Sequence, residues 1–251
     1  MKMKYPLMYY YRKIHRYFGV VIGIQFLLWT LGGLFFAWSD MDQIHGDNNR
    51  KPISLISDLE NWKSPSDAFK EISKISKIDS IVSMKTINFL NHPHYQVRYY
   101  EGSQKKFALV DVKSNSIKDL ISEKEAIDLA KEAFTPESEI DKVEYIDKGS
   151  ISKHHEYRGR PLPAYAISFS IDPETVVYIS AEYGQLVTIR NSNWRIFDFL
   201  WMMHTMDYES RDNIGNTLLK FFSIFGLITI LSGFLIYFKS MRRLSFKKPF
   251  K

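Results

Sequence analysis

The side chains in this sequence best suited to hold a soft ligand are seven histidines, and three of them stand out by position. His15 lies among Arg12, Lys13 and Arg16 at the mouth of a long apolar run. His45 lies just beyond its far end in "DQIHGD", and His204 lies in the largely apolar stretch "NWRIFDFLWMMHTMDYESRDN". A neutral imidazole nitrogen ligates transition metals, and a hydrogen bond to the other ring nitrogen fixes the tautomer. Asp207 stands three residues after His204 and, on a continued helix, would orient that ring. The "HPH" at His92–His94 and the pair His154-His155 fall in polar, turn-rich stretches with no acid at a recognised metal spacing. They are expected to be solvated loop residues.

Other chemistries find no support. The chain has no cysteine, which removes disulfides, thiolate metal sites and a cysteine nucleophile. There is no G-x-S-x-G, no H-E-x-x-H and no glycine-rich phosphate loop. Glu123 and Glu125 belong to a solvated helix face. The net charge of +6 suggests a nucleic-acid partner at first sight. The basic residues flank apolar runs rather than form a groove, so no nucleic acid is expected.

Those apolar runs are the elements that must position the histidines. From Tyr17 to Trp38 there is no charged residue, and Gln25 alone is strongly polar. About 22 residues make a helix of roughly 33 Å, enough to cross a hydrocarbon core. The second run, Phe221 to Phe238, is just long enough, with Lys220 able to snorkel at its mouth. The first run ends in "FFAWSDMDQ", a poor export-cleavage site, so two retained spans are expected, at 17–38 and 218–238. Lys2, Lys4, Arg12, Lys13 and Arg16 precede the first, and Lys239, Arg242, Arg243, Lys247, Lys248 and Lys251 follow the second. All 28 acids lie between them. The positive-inside rule then puts the tails, 1–16 and 239–251, in the cytoplasm of a bacterial cell and the middle outside its cytoplasmic membrane. Basic tails also attract anionic lipid headgroups. Residues 192–212, with Trp194, Phe197 and Trp201, suit a helix lying in the outer interface. Gln25 would bond to a partner helix or to backbone.

The roughly 155 residues between the first span and the 192–212 stretch are enough for a folded core. They read as one unit written twice. After the linker "SDMDQIHGDNNRKP", a short helix capped by Ser66 or Asp67 would place Ala68, Phe69, Ile72 and Ile75 on one face. The alternating segments "SIVSMKTINFL", "HYQVRYYEG" and "KKFALVDVKSNSI" follow, with turns at Glu101-Gly102-Ser103 and Lys113-Ser114-Asn115. The pattern then restarts. "ISEKEAIDLAKEAF" is an amphipathic helix with Ser122 and Glu125 at capping-box spacing. Strands "EIDKVEYID", "PAYAISFSID" and "TVVYISAEYGQLVTIR" come next, turning at Asp172-Pro173 and Tyr183-Gly184. A helix followed by an antiparallel meander, twice, is an α+β duplication of roughly 60 residues. The first unit with its linker spans 39–121 and the second 122–191.

The second unit resembles the PepSY domain, through the helix "SEKEAIDLAKEAF" and the hairpin "AYAISFSIDPETVVYISAEYGQLV" with its E-Y-G turn. The first unit matches less closely, since its turn "VKSNSI" lacks the glycine. The spans, "IHRYFGVVIG…LGGLFF" and "MMHTMDY…LLKFFSIFGLITILSGFLIYF", are similar to PepSY-associated transmembrane helices. The resemblance implies a membrane-anchored binding or regulatory module, since PepSY units in propeptides of secreted metallopeptidases are linked to inhibition. An extracytoplasmic protein or peptide would bind, for instance at a sheet edge.

The resemblance also implies an alternative. Larger relatives bind b-type haem through membrane-edge histidines and are associated with ferric-siderophore reduction and iron uptake. His15 fits their H-R-x-x-G position, and His204 fits their L-H position, reading Met203-His204 here. His15 and His204 are expected on opposite leaflets, roughly 30 Å apart, too far to share one iron. His45 with His204 would share an outer haem, and His15 would pair with its copy in a homodimer. Gly19 and Gly23 in G-x-x-x-G spacing, Gly32-Gly33, and Gly226 with Gly233 offer close helix contacts for such a dimer. A third reading is a scaffold subunit with no site of its own.

Overall fold

The computed structural model describes residues 6–245 apart from 53, 57 and 58, with side chains as far as 241. Lys2, Lys4, Lys247, Lys248 and Lys251 of the expected basic tails lie outside the described residues, as do the side chains of Arg242 and Arg243. The chain forms two compact units: 1–39 with 197–251, and 40–196.

In the first unit, helix α1 runs Leu7–Trp38 and helix α6 runs Thr217–Ser245. At 1.5 Å per residue they measure roughly 48 and 44 Å, more than a hydrocarbon core of ~30 Å requires. Their apolar side chains point outward. Only Ile22, Gln25 and Gly32 of α1 are buried, while Val20, Val21, Ile24, Leu27 and Leu31 are exposed. That is the reverse of a soluble core helix. Helix α1 begins ten residues before Tyr17, because nothing between Pro6 and Tyr17 breaks a helix. The two helices meet through glycine. A Cβ on Gly226 would stand 2.9 Å from Cζ of Phe26, and Phe18 stacks on Phe225 at 5.6 Å.

The second unit holds two four-stranded antiparallel sheets, each preceded by a helix. Helix α2 (Met41–His45) opens it. Helix α3 (Pro65–Ile75) leads into strands β1 (Ser80–Phe89), β2 (His92–Glu101), β3 (Gln104–Asp111) and β4 (Ile117–Lys118), paired in that order. Helix α4 (Glu123–Ala133) leads into β5 (Ile140–Ile146), β6 (Ala164–Phe169), β7 (Thr175–Ser180) and β8 (Gln185–Asn191), again in order. Helix α5 (Ser192–Thr205) follows. The duplicated α+β architecture is therefore present, with β1 and β8 each an edge strand.

Local chemistry explains the elements. Helix α4 has the expected capping box between Ser122 and Glu125. Helix α3 is capped by Ser64, not by Ser66 or Asp67. Pro65 takes the first helical position, where its missing N–H costs nothing, and Ser64 Oγ accepts from the Ser66 amide. Ala68 and Ile72 are buried with Phe69 beside them, but Ile75 is 71% exposed and lies off the core face. Leu90 does not continue β1; Leu90 and Asn91 both have positive φ and form a two-residue hairpin turn.

Helix α3 packs Ala68 and Ile72 against Tyr95, Val97, Tyr99, Ala108 and Val110. Helix α4 packs Ala126, Leu129 and Ala130 against Tyr165, Ile167, Val177, Ile179 and Ile189. The second sheet is covered on its other face too, where Tyr157 from the β5–β6 loop stacks on Tyr178 at 4.7 Å. This is why β6 and β7 are buried almost throughout instead of alternating. The sheets are also joined to each other. Phe89 of β1 belongs to the second sheet's core, and Gln96 Nε2 donates to the Tyr183 carbonyl at 2.9 Å.

Candidate functional site

His15 is half-buried on the face of α1 turned toward α6. Its Nδ1 lies 2.7 Å from Ser232 Oγ, and that hydroxyl donates its single proton to the Thr229 carbonyl at 2.8 Å. With that proton directed at Thr229, Ser232 accepts from His15, an arrangement in which His15 carries its proton on Nδ1 and keeps the Nε2 lone pair. Gly233 leaves room beside that edge of the ring: a Cβ there would sit 3.4 Å from His15 Cε1 and 3.9 Å from Nε2. A cavity of about 560 Å³ opens next to it, lined by Phe18, Phe225, Ile228 and Leu231 among others.

His204 lies in an aromatic box. Trp201 stacks on it at 6.2 Å, and the rings of Trp29 and Phe36 stand at 6.1 and 5.9 Å. Trp29 Nε1 donates to the His204 carbonyl, and Gln25 Nε2 to the Met203 carbonyl, so Gln25 serves backbone. His204 Nδ1 is buried with no hydrogen-bond partner among the described residues. Asp207 does not orient it. Helix α5 stops at Thr205, Met206 turns to positive φ, and Asp207 accepts from the amides of Glu209, Ser210, Asp212 and Asn213 instead. The Ser210 hydroxyl and then those amides hold its carboxyl well below the usual carboxylate range, against the opposing effect of burial. His204 contacts α1 at Trp29 and Phe36, which lie 14 and 21 residues beyond His15. That is roughly 20–30 Å along the helix, so the two histidines are not brought together.

His45 ends the five-residue helix α2 and is exposed, in the other compact unit from His204. His92 and His94 are not in a loop but open strand β2. His94 is buried, edge-on to Phe89 at 5.4 Å, with Nδ1 3.0 Å from the His92 carbonyl. His154 is exposed, and His155 Nδ1 accepts from the Tyr157 amide. Among the described residues no group of three or more histidines and acids is placed to hold a metal ion. Of the glycines expected to make helix contacts, Gly226 and Gly233 do so within the chain. A Cβ on Gly19, Gly23 or Gly33 would meet nothing within 4 Å.

Sequence reasoning missed a polar cavity of about 320 Å³ in the two-sheet unit. Lys85 and Asn88 of edge strand β1, Gln185 and Leu186 of edge strand β8, Leu129 and Glu132 of α4, and Arg50, Lys51, Pro52 and Ser54 line it. The linker strands itself along α4 to complete the wall: Lys51 N donates to the Ala133 carbonyl, and Thr135 N to that of Asn49. Lys85 Nζ donates to Gln185 Oε1 at 3.1 Å, and Lys51 Nζ to the Lys131 carbonyl. Lys85 is an exposed residue overall, yet crowding around its ammonium, then the Arg98 charge, lower its pKa. Glu132 accepts from Ser54, and Asn88 Oδ1 is buried without a partner among the described residues. The one signal in the sequence was the E-Y-G turn that precedes β8.

A second missed feature is Arg190, 6% exposed, with its guanidinium 4.1 Å over the Trp194 ring. It donates to the Glu156 and Ile189 carbonyls, and burial, then Arg160 and Arg158, bring its pKa down to about 10. Both of these hydrogen bonds go to backbone, which makes it a structural brace at the start of α5.

Two helices long and apolar enough to cross a bilayer, flanking an α+β unit of two antiparallel sheets, define a membrane protein with an extracytoplasmic domain. The chain belongs to the PepSY-associated TM region family, whose profile matches residues 12–251. It is thus a PepSY-family membrane protein with an extracytoplasmic binding or regulatory domain. No curated protein and no solved structure matches it.

Proposed function

We propose that α1 and α6 anchor the chain in a bacterial cytoplasmic membrane, both termini inside, and that the two-sheet unit binds a peptide or protein segment outside. The distribution of charge supports the orientation, with cations flanking the spans and every acid between them. The observation that carries the binding reading is the basic cavity bordered by two edge strands. An edge offers unpaired backbone groups to an extended peptide, and neighbouring pockets take its side chains. A photoreactive residue at Val82 on β1 or Leu186 on β8 should give a discrete adduct with another polypeptide in native membranes. Absence of any adduct from both positions would contradict the reading.

His15 favours a second reading, a haem b-binding redox component. Donation from Nδ1 to Ser232 would leave Nε2 able to ligate iron, and an apolar cavity adjoins the ring. His15 would hold the haem iron together with His15 of a second copy, the two chains meeting through the open Gly19–Gly23 face. Bound haem would carry electrons toward a ferric siderophore outside. The protein purified in mild detergent would then show a Soret band with sharp reduced α and β peaks, lost in His15→Ala. Retention in that variant with loss in His204→Ala would move the ligand to His204, and no pigment after haem-supplemented expression would defeat the reading.

A further inference from the structure

We infer, on the binding reading just given, that the cavity between β1 and β8 receives the C-terminal residue of a peptide, holding its carboxylate on Lys85, Lys51 and Arg50. Among the described residues three cations face this cavity against one acid, Glu132, whose Oε1 is already engaged by Ser54. Arg50 meets Asp47 only at 3.5 Å and at the surface. Lys51 and Lys85 meet a carbonyl and an amide oxygen, and no carboxylate among the described residues. An amide oxygen offsets the cost of crowding an ammonium less well than a carboxylate does. The anion that fits is therefore one the protein does not itself supply.

The remaining lining selects which anion. Leu129, Leu186, Ala133 and Pro52 give an apolar wall beside the cations, suited to a hydrocarbon side chain one residue's width from the charge. Asn88 Oδ1 lacks a donor among the described residues, and a peptide N–H is such a donor. The volume lies at the lower end of ligand pockets, ~300–1,000 Å³, which suits a terminal residue rather than a long segment. The upstream peptide would run out along an exposed sheet edge.

The test is calorimetric titration of the full-length protein in detergent with four probes: N-acetyl-Ala-Ala-Leu as the free acid, the same peptide as its carboxamide, N-acetyl-leucine, and inorganic phosphate. The free acid should bind saturably, and the amide at least tenfold more weakly. Lys85→Gln should weaken the acid by tenfold or more, while Lys105→Gln, outside the cavity, should leave it unchanged, with melting temperatures confirming that both variants fold. Equal binding of acid and amide would overturn the carboxylate assignment and leave the peptide-binding reading standing. Phosphate binding as tightly as the acid would reduce the cavity to a general anion site and overturn the inference. N-acetyl-leucine matching the tripeptide would identify a small carboxylate and overturn the peptide part. No binding of any probe alongside positive photocrosslinks would overturn the inference but not the binding reading, and no binding without crosslinks would defeat both.

Discussion

Gly184, at the turn before β8, faces the ring of Phe89 so closely that a Cβ would lie 2.8 Å from Cδ2 and 3.0 Å from Leu109 Cδ1. Its φ of +58° is itself a conformation that side chains resist. The two sheets join at this contact, and Phe89 is held in the second sheet's core, where its ring cannot move aside. Gly184→Ala should destabilise the unit by on the order of 3 kcal/mol, combining left-handed strain of ~1–2 with overpacking of ~1–3. Gly102 shares the backbone conformation, at φ +59°, but has nothing within 4 Å. Gly102→Ala should cost only the strain, about 1–2 kcal/mol. Denaturant unfolding of both variants checks the difference; equal losses would show that the Phe89 contact carries nothing.

Helix α3 offers a second test of packing. Ile72 is fully buried against the first sheet, while Ile75, one turn on, is 71% exposed. Ile72→Ala should cost about 2–5 kcal/mol and Ile75→Ala less than about 0.5. A large loss at Ile75, read from thermal or denaturant unfolding, would mean that the helix is rotated from the position described.

The duplication was legible because its signals are local: a capping box at Ser122–Glu125, alternating apolar residues, and glycine turns. What was not legible depends on partners far away in sequence. Ile75 has the helical spacing of a core residue, yet at the last position of α3 it is left 71% exposed. His94 was expected in solvent because "HPH" looks like a turn, yet the true turn is Leu90-Asn91 and the strand carries His94 inward onto Phe89. Asp207 has the spacing to support His204, but the helix stops first and the carboxylate gathers loop amides. The cavity is assembled from Arg50, Lys85, Leu129 and Leu186, which no window of sequence brings together. Imidazole is rare and conspicuous in a sequence, whereas Lys85 and Asn88 look there like part of any solvated strand.

Asp207 gives a pH-dependent prediction. Its folded pKa lies below its ordinary value of 3.8, so its stabilising effect is present above that value and is lost as pH falls toward the folded pKa. At neutral pH, Asp207→Ala should raise amide hydrogen exchange at Glu209, Ser210, Asp212 and Asn213, and the native protein should approach the same rates only in strong acid. Unchanged protection in the variant would remove Asp207 as the organiser of this loop.

The His15–Ser232 contact predicts a tautomer. Nitrogen NMR of labelled His15 at a pH where the ring is neutral should show a protonated Nδ1 and a bare Nε2, and Ser232→Ala should abolish that preference. A proton on Nε2 in the native protein would refute the assignment and, with it, the support for iron at that nitrogen.

Because the chain has no cysteine, a single reporter thiol reads the placement of the domain without background. With Ser103→Cys in the β2–β3 turn and Lys248→Cys in the C-terminal tail, a membrane-impermeant maleimide is added to intact spheroplasts. The account predicts labelling at position 103 at once and at position 248 only after the membrane is opened. Prompt labelling at 248 with position 103 protected would place the two-sheet unit inside and contradict it.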